Sequence, residues 1–203
     1  SLNISSVDFD QGTVEYDGTD TYDSLVLGYT YNDLTILSGT YDIGSNDLSV
    51  SGTFSNSSII SLEGNQNIVI GTFDTSQGTV LYDGTNSYVG LAFGSDYYDL
   101  KFNPASTTSV WLISGEINVS NDIVLTSGIL KLSGDITLKT DSDADGFGTL
   151  TMSENAQIDG LNLYDLIIYV SDNLDLHNVK NFDALYLYES QTDSNPTFTQ
   201  NQD

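Results

Sequence analysis

The chain has no cysteine and no arginine. Proline appears twice in 203 residues, and methionine, tryptophan and histidine once each. Without cysteine there is no disulfide framework, no zinc–thiolate site and no thiol nucleophile. The four cationic side chains, Lys101, Lys131, Lys139 and Lys180, face 29 acidic ones, for a formal charge of −25. Such a surface repels a phosphate backbone, which excludes nucleic acid as an expected partner, and it disfavours anionic membranes. Divalent cations, basic partners and neutral glycans remain. No apolar run approaches transmembrane length, so membrane insertion is not expected. The only methionine is Met152, so a start at Ser1 reads as processing or excision from a longer product.

One further shortage decides the fold class. Apolar spacing of three and four is nowhere sustained, so no helix is expected. Two-residue alternation dominates instead. NDLTI (32–36), NDLSV (46–50), YDLKF (98–102), NDIVL (121–125), GDITL (134–138) and YDLII (164–168) share a turn-type or Tyr residue, an Asp, then apolar–x–apolar. That is the signature of a half-buried strand. The Asp is expected to bond to nearby backbone N–H groups as the chain turns into the strand. Ser-Gly pairs at 38–39, 51–52, 114–115, 127–128 and 133–134 read as punctuation between strands, with Gly supplying positive φ. Strands are expected at, among other places, 12–17, 24–28, 33–37, 78–82, 98–102, 109–113, 116–120, 129–132 and 135–139.

The pattern contains a duplication. QGTVEYDGTDTY (11–22) recurs as QGTVLYDGTNSY (77–88), nine of twelve positions matching at an offset of 66 residues. Leu25, Gly28, Tyr31, Asp33 and Leu34 recur as Leu91, Gly94, Tyr97, Asp99 and Leu100, so the duplicated stretches run over 11–36 and 77–102. Repetition at this scale points to a solenoid. The expected architecture is a single repetitive all-β domain over 1–188, a parallel β-helix or β-solenoid, with a polar tail or linker over 189–203. A tandem β-sandwich is the alternative.

The run from GTVEYDGT through YNDLTILSGTYDIGSNDLSVSGT resembles repeats of bacterial and archaeal surface proteins with right-handed parallel β-helices. Filamentous-haemagglutinin-like adhesins and autotransporter passenger domains are of this type. The resemblance covers roughly residues 7–139 and rests on YDGT, the Tyr-x-Asp-Leu-x-Ile strand and the Leu-Ser-Gly-Thr turn. It implies an extracellular or cell-surface location and carries over no catalytic residue. The function it implies is a structural subunit or segment of a filament, sheath or layer. An adhesin module binding a glycan or protein is the alternative, and a β-helix carbohydrate-active enzyme a distant third.

Several residues are candidates for chemistry. Asp141, Asp143, Asp145 and Gly146 form D-x-D-x-D-G, the opening of a calcium loop, in which alternate carboxylates converge on one hard cation. The Phe147 carbonyl would add a ligand. The twelfth loop position is Met152 and not a bidentate Glu, so Glu154 or Asp159 would have to stand in. Structural calcium is expected, with an acidic solvated turn as the bland alternative. His177, within LDLHNV, alternates with Leu174 and Leu176 and reads as an outward strand residue, not as part of a Ser-His-Asp triad. Paired carboxylates are unavoidable among 29 acids and point to no glycosidase on their own, and no catalytic site is expected. Tyr16, Tyr22, Tyr29 and Tyr31, with Tyr82, Tyr88, Tyr97 and Tyr98, are either a sugar-stacking face or core and ladder packing, the latter favoured. Sequons stand at Asn3, Asn56 and Asn118. The expected partners are copies of the chain itself, as homo-oligomer or polymer, with SLNISS at the start and PTFT near the end as strands available for pairing.

Overall fold

The computed structural model describes residues 11–140, 149–152, 155–160, 166–170, 173–176, 179–180, 185–189 and 197–200. These build an all-β parallel solenoid of about 7 turns, with no helix. Strand alternation does what the sequence pattern requires. In Asp33–Ile36, Leu34 and Ile36 are buried while Asp33 and Thr35 face out. The pairing is parallel from coil to coil, as in Thr13–Tyr16 against Asp33–Ile36 and Thr79–Tyr82 against Asp99–Phe102. That rules out the sandwich alternative, whose sheets are antiparallel.

An early coil takes about 20 residues, as the register partners Val14↔Leu34 and Leu34↔Phe54 show, and later coils take more, 23 from Leu100 to Ile123 and 27 from Ile123 to Leu150. Each coil lays strand on three faces. Face one is a nine-stranded sheet that runs from Thr21–Tyr22 to Thr197–Gln200. That last strand lies within the polar C-terminal stretch and pairs with Asn173–Leu176. Faces two and three are shared by a five-stranded sheet in the first half and an eight-stranded sheet in the second. They share sheets because long strands turn the corner unbroken: Leu48–Asn56, Ile68–Asp74, Val110–Val119 and Gly128–Lys139.

The Ser-Gly pairs at 51–52, 114–115 and 133–134 therefore sit inside strands, at corners, and do not end them. The register slips at two of these corners, between Val50 and Thr53 and between Ile113 and Gly115. Gly52 is needed for closeness, not for dihedral freedom. A Cβ there would lie 2.2 Å from Oδ1 of Asp33 on the preceding coil. The strand expected over 24–28 is absent. Residues 25–28 form a turn in which the Gly28 N–H donates to the Leu25 carbonyl at 3.0 Å, with Gly28 at φ 101°.

The core is a continuous interior column of inward residues. Aromatic stacking occurs between register partners on adjacent coils: Tyr22 on Tyr41, Phe54 on Phe73, Tyr82 on Phe102 and Tyr88 on Trp111, with centroids 4.7 to 5.5 Å apart. The parallel ladder brings like positions into line, so offset stacking adds to area burial.

Candidate functional site

The duplication is a structural device. In the first copy the Leu27 N–H donates to the Tyr16 hydroxyl at 3.1 Å, and Tyr16 and Tyr31 hydroxyls lie 3.0 Å apart. The Tyr31 hydroxyl in turn donates to the Gly28 carbonyl. In the second copy Phe93 N–H meets the Tyr82 hydroxyl at 3.1 Å, Tyr82 meets Tyr97 at 3.1 Å, and Tyr97 donates to the Gly94 carbonyl at 2.8 Å. A phenol has one proton to give. The proton of Tyr97 is committed to Gly94, so Tyr82 must donate to Tyr97 while accepting from Phe93. Each copy is thus a one-way relay, from amide through two phenols to carbonyl, that pins the turn after it. Burial pushes the Tyr31 and Tyr97 phenols well above the ordinary range and Tyr82 up to about 12. Of the eight candidate tyrosines, Tyr16, Tyr31, Tyr82, Tyr88 and Tyr97 are buried and Tyr22, Tyr29 and Tyr98 are half-buried. All but Tyr98 belong to the interior core or pack against it.

The two copies do not sit above one another. Thr13–Tyr16 lies in the five-stranded sheet on face three, and Thr79–Tyr82 lies in the nine-stranded sheet on face one. Coils of about 20 residues divide 66 into three turns and one face. The second copy is therefore rotated by one face round the solenoid axis.

Four of the motif aspartates, Asp33, Asp47, Asp99 and Asp122, staple successive coils. Asp33 Oδ1 accepts the Thr53 N–H at 2.7 Å, and Asp47 Oδ1 accepts that of Asn67 at 2.7 Å. Asp99 Oδ1 accepts from Asp122 N–H at 3.2 Å, and Asp122 Oδ1 from Thr149 N–H at 3.0 Å. Local Asx-type bonds occur elsewhere, at Asp42 to Gly44 and Asp74 to Ser76. At the corner after face one Asp83 is half-buried. Burial raises its carboxyl, Asp42 and Glu63 add to the rise, and a 2.6 Å bond from Ser61 Oγ opposes it.

Three features of this wall are open among the described residues. Between the five- and eight-stranded sheets Ile68–Asp74 pairs only with Leu48–Asn56, and Ser87–Val89 and Asp96–Tyr97 pair only with Val110–Val119. At the N-terminal end Thr13–Tyr16, Thr21–Tyr22 and Thr30–Tyr31 pair on one side only among the described residues. At the C-terminal end so do Val179–Lys180, Leu185–Glu189 and Thr197–Gln200. On the side wall a groove of about 310 Å³ lies between Gly90–Ser95 and Ile113–Ile117. No family model, curated protein or solved structure matches this chain. The functional reading therefore stands on these features.

The calcium-loop residues Asp141, Asp143, Asp145, Phe147 and Glu154 lie outside the described residues, as do His177 and Asn3. Among the described residues no group of three or more His, Asp or Glu converges as a metal site. Asp159 lies in register between Lys131 and Lys180 on face two. Of the remaining sequons, Asn56 is 3% exposed and its amide donates to the Thr79 carbonyl at 2.9 Å, so the folded chain offers no acceptor there. Asn118 is half-buried and donates to Asp96 at 3.3 Å. Sequence reasoning missed the corner role of Ser-Gly and the inter-coil reach of Asp. Both depend on a residue about 20 positions away.

Proposed function

We propose that the chain is a structural segment of an extracellular surface assembly, a filament, sheath or layer, acting through association with its own copies and not through catalysis. The observation that supports this reading is that, among the described residues, the first and last strands of the parallel solenoid pair on one side only. A solenoid buries its sides by stacking coils, but its last coils keep unpaired backbone groups on parallel strands. Head-to-tail pairing of such ends is heterologous and need not close, so it grows a filament. The charge of −25 opposes growth, and salt screens it. Calcium held by Asp141, Asp143 and Asp145, with the Phe147 carbonyl and Glu154, is proposed to lower that charge and stabilise the fold.

The test is light scattering and electron microscopy of the intact chain with and without calcium. At the two ends of Thr13–Tyr16 the carbonyls of Gly12, just before the strand, and Tyr16 accept from Asp33 and Leu37 on the next coil, so the backbone of Glu15 faces the other edge. Glu15→Pro removes an edge donor without breaking a ladder bond. Polymers that lengthen with calcium and are lost in Glu15→Pro are expected, with Asp143→Ala abolishing the calcium response. A monodisperse intact chain at high concentration with calcium would overturn the reading. Saturable glycan or protein binding by that monomer would then favour an adhesin module.

A further inference from the structure

The side wall of the solenoid lacks part of one rung. Ser87–Val89 pairs with Val110–Leu112, and Asp96–Tyr97 pairs with Asn118–Val119. Between these, Ile113–Ile117 has no ladder partner on that side among the described residues, although its other side is paired with Gly128–Lys139. The cause is the second copy of the duplication. Its turn leaves the wall at Gly90, and Leu91 and Phe93 pack against the core, with the Phe93 amide captured by Tyr82. The wall that should have run from 90 to 95 is replaced by the groove of about 310 Å³. Leu91, Ile113 and Ile117 make it apolar, and Ser95, Ser114 and Glu116 make it polar. Its volume is at the small end of about 300–1,000 Å³ for ligand sites.

The chemistry of the occupant follows from what the groove lacks. The Val110 N–H donates to Asn86, the Leu112 carbonyl accepts from Gly90, and the Asn118 N–H donates to Ser95, all toward the preceding coil. Ser114 and Glu116 stand at the same parity in the same strand, and both are exposed. An edge of this kind is satisfied by extended backbone. Five unpaired residues at ~3.3 Å each give about 16 Å of strand contour, bent at the Gly115 corner. The Asp96 carboxylate is engaged by Ser95 and Asn118, at 2.6 and 3.3 Å. Among the described residues Glu116 has no ion pair, and it supplies the charge. A second copy of this chain, with four lysines in 203 residues, is a poor match for it.

We propose that this groove binds an extended peptide segment of a different protein, carrying a Lys or Arg over Glu116, which adds the missing rung. The proposal does not depend on end-to-end assembly. It is tested on the full chain by amide chemical shifts, with a blocked hexapeptide of alternating Thr and Lys as probe and one of alternating Thr and Glu as control. The Lys peptide is expected to move the amides of Ser114, Gly115 and Glu116 saturably. It should leave alone those of Gly52 and Thr53, at a corner whose amides are already committed to the Asn32 carbonyl and the Asp33 carboxylate of the preceding coil. Glu116→Lys should weaken binding about tenfold or more, and the isosteric Glu116→Gln several-fold, with a flatter salt dependence. Three results would overturn the proposal: equal shifts from the Glu peptide, shifts spread over the acidic surface without preference for the groove, or unchanged affinity in both Glu116 variants. A neutral oligosaccharide that moves these amides when the peptide does not would overturn it in favour of a glycan.

Discussion

Removing one oxygen from the second tyrosine relay should cost far more than a surface change. In Tyr82→Phe the ring stays and keeps its 5.5 Å stack on Phe102, so the loss is confined to hydrogen bonding. Two bonds go: the one to Tyr97 at 3.1 Å, and the one that satisfies the Phe93 amide at 3.1 Å. Tyr97 keeps its bond to Gly94, because it is the donor there. A lost bond costs about 0.5–1.5 kcal/mol, and a buried amide left without an acceptor about 1–3 kcal/mol. Together these set an expected cost of about 2–3 kcal/mol, or roughly a 5–10 °C fall in Tm for a chain of this size. Trp111 is the natural reporter, because it is the only tryptophan and its ring lies 6.4 Å from that of Tyr82 and 5.2 Å from that of Phe102. Urea unfolding followed by its fluorescence gives the free-energy change for the relevant coils. The direction of the relay makes a sharper demand. Tyr97→Phe removes the acceptor of Tyr82 and orphans the Gly94 carbonyl, so the double variant loses the shared bond once only. It should fall short of the sum of the singles by about 1 kcal/mol. A Tyr82→Phe change within about 0.5 kcal/mol of wild type, or strict additivity in the double variant, would refute the relay.

Three further outcomes follow from the same contacts. Tyr31, Tyr82 and Tyr97 hold their protons more tightly folded than unfolded, so stability is complete below the ordinary phenol pKa and falls as pH rises through the folded values. For Tyr82, raised from 10.0 to about 12, the loss is about 3 kcal/mol across that window. Absorbance at 295 nm should show these phenols ionising only with unfolding. Asp83 also has a raised folded pKa, so its contribution is best at low pH and is lost as pH climbs through the folded carboxyl value. Asp83→Asn should raise Tm at pH 7 and leave it nearly unchanged near pH 3, and equal shifts at both would count against a charge effect. Gly52→Ala places a Cβ on the Asp33 carboxylate and should break its bond to Thr53, at a cost of about 1–3 kcal/mol by the same urea assay. Gly44→Ala, where the space is open but φ is +54°, isolates the dihedral cost for comparison.

How much of this was legible without coordinates depends on the range of the interaction behind each feature. Leu34 and Ile36, or Leu100 and Phe102, declare themselves as inward strand residues through local alternation alone, because a side-chain period of two is a property of the single strand. The duplication is legible for the same reason, since likeness is written along the chain. The strand ends were less so. Residues 24–28 alternate as a strand does, yet Leu25 and Gly28 close a turn, because Tyr16 and Tyr31 capture its polar groups from other positions on the coil.

The sequence by itself determined an all-β chain of stacked, duplicated strands with an acidic outer surface. Local periodicity and charge are fixed before any two distant residues meet. Only the tertiary structure decided what the parts do to one another. In a parallel solenoid every partner is a coil away, about 20 residues in the early coils and 23 to 27 in later ones, and no local pattern reports how the coil length divides the repeat length. That division turns the second copy by one face. It converts Ser-Gly punctuation into corners, and sends the motif aspartates to the next coil. Where the rotated copy leaves the wall at Gly90, it opens the groove beside Glu116.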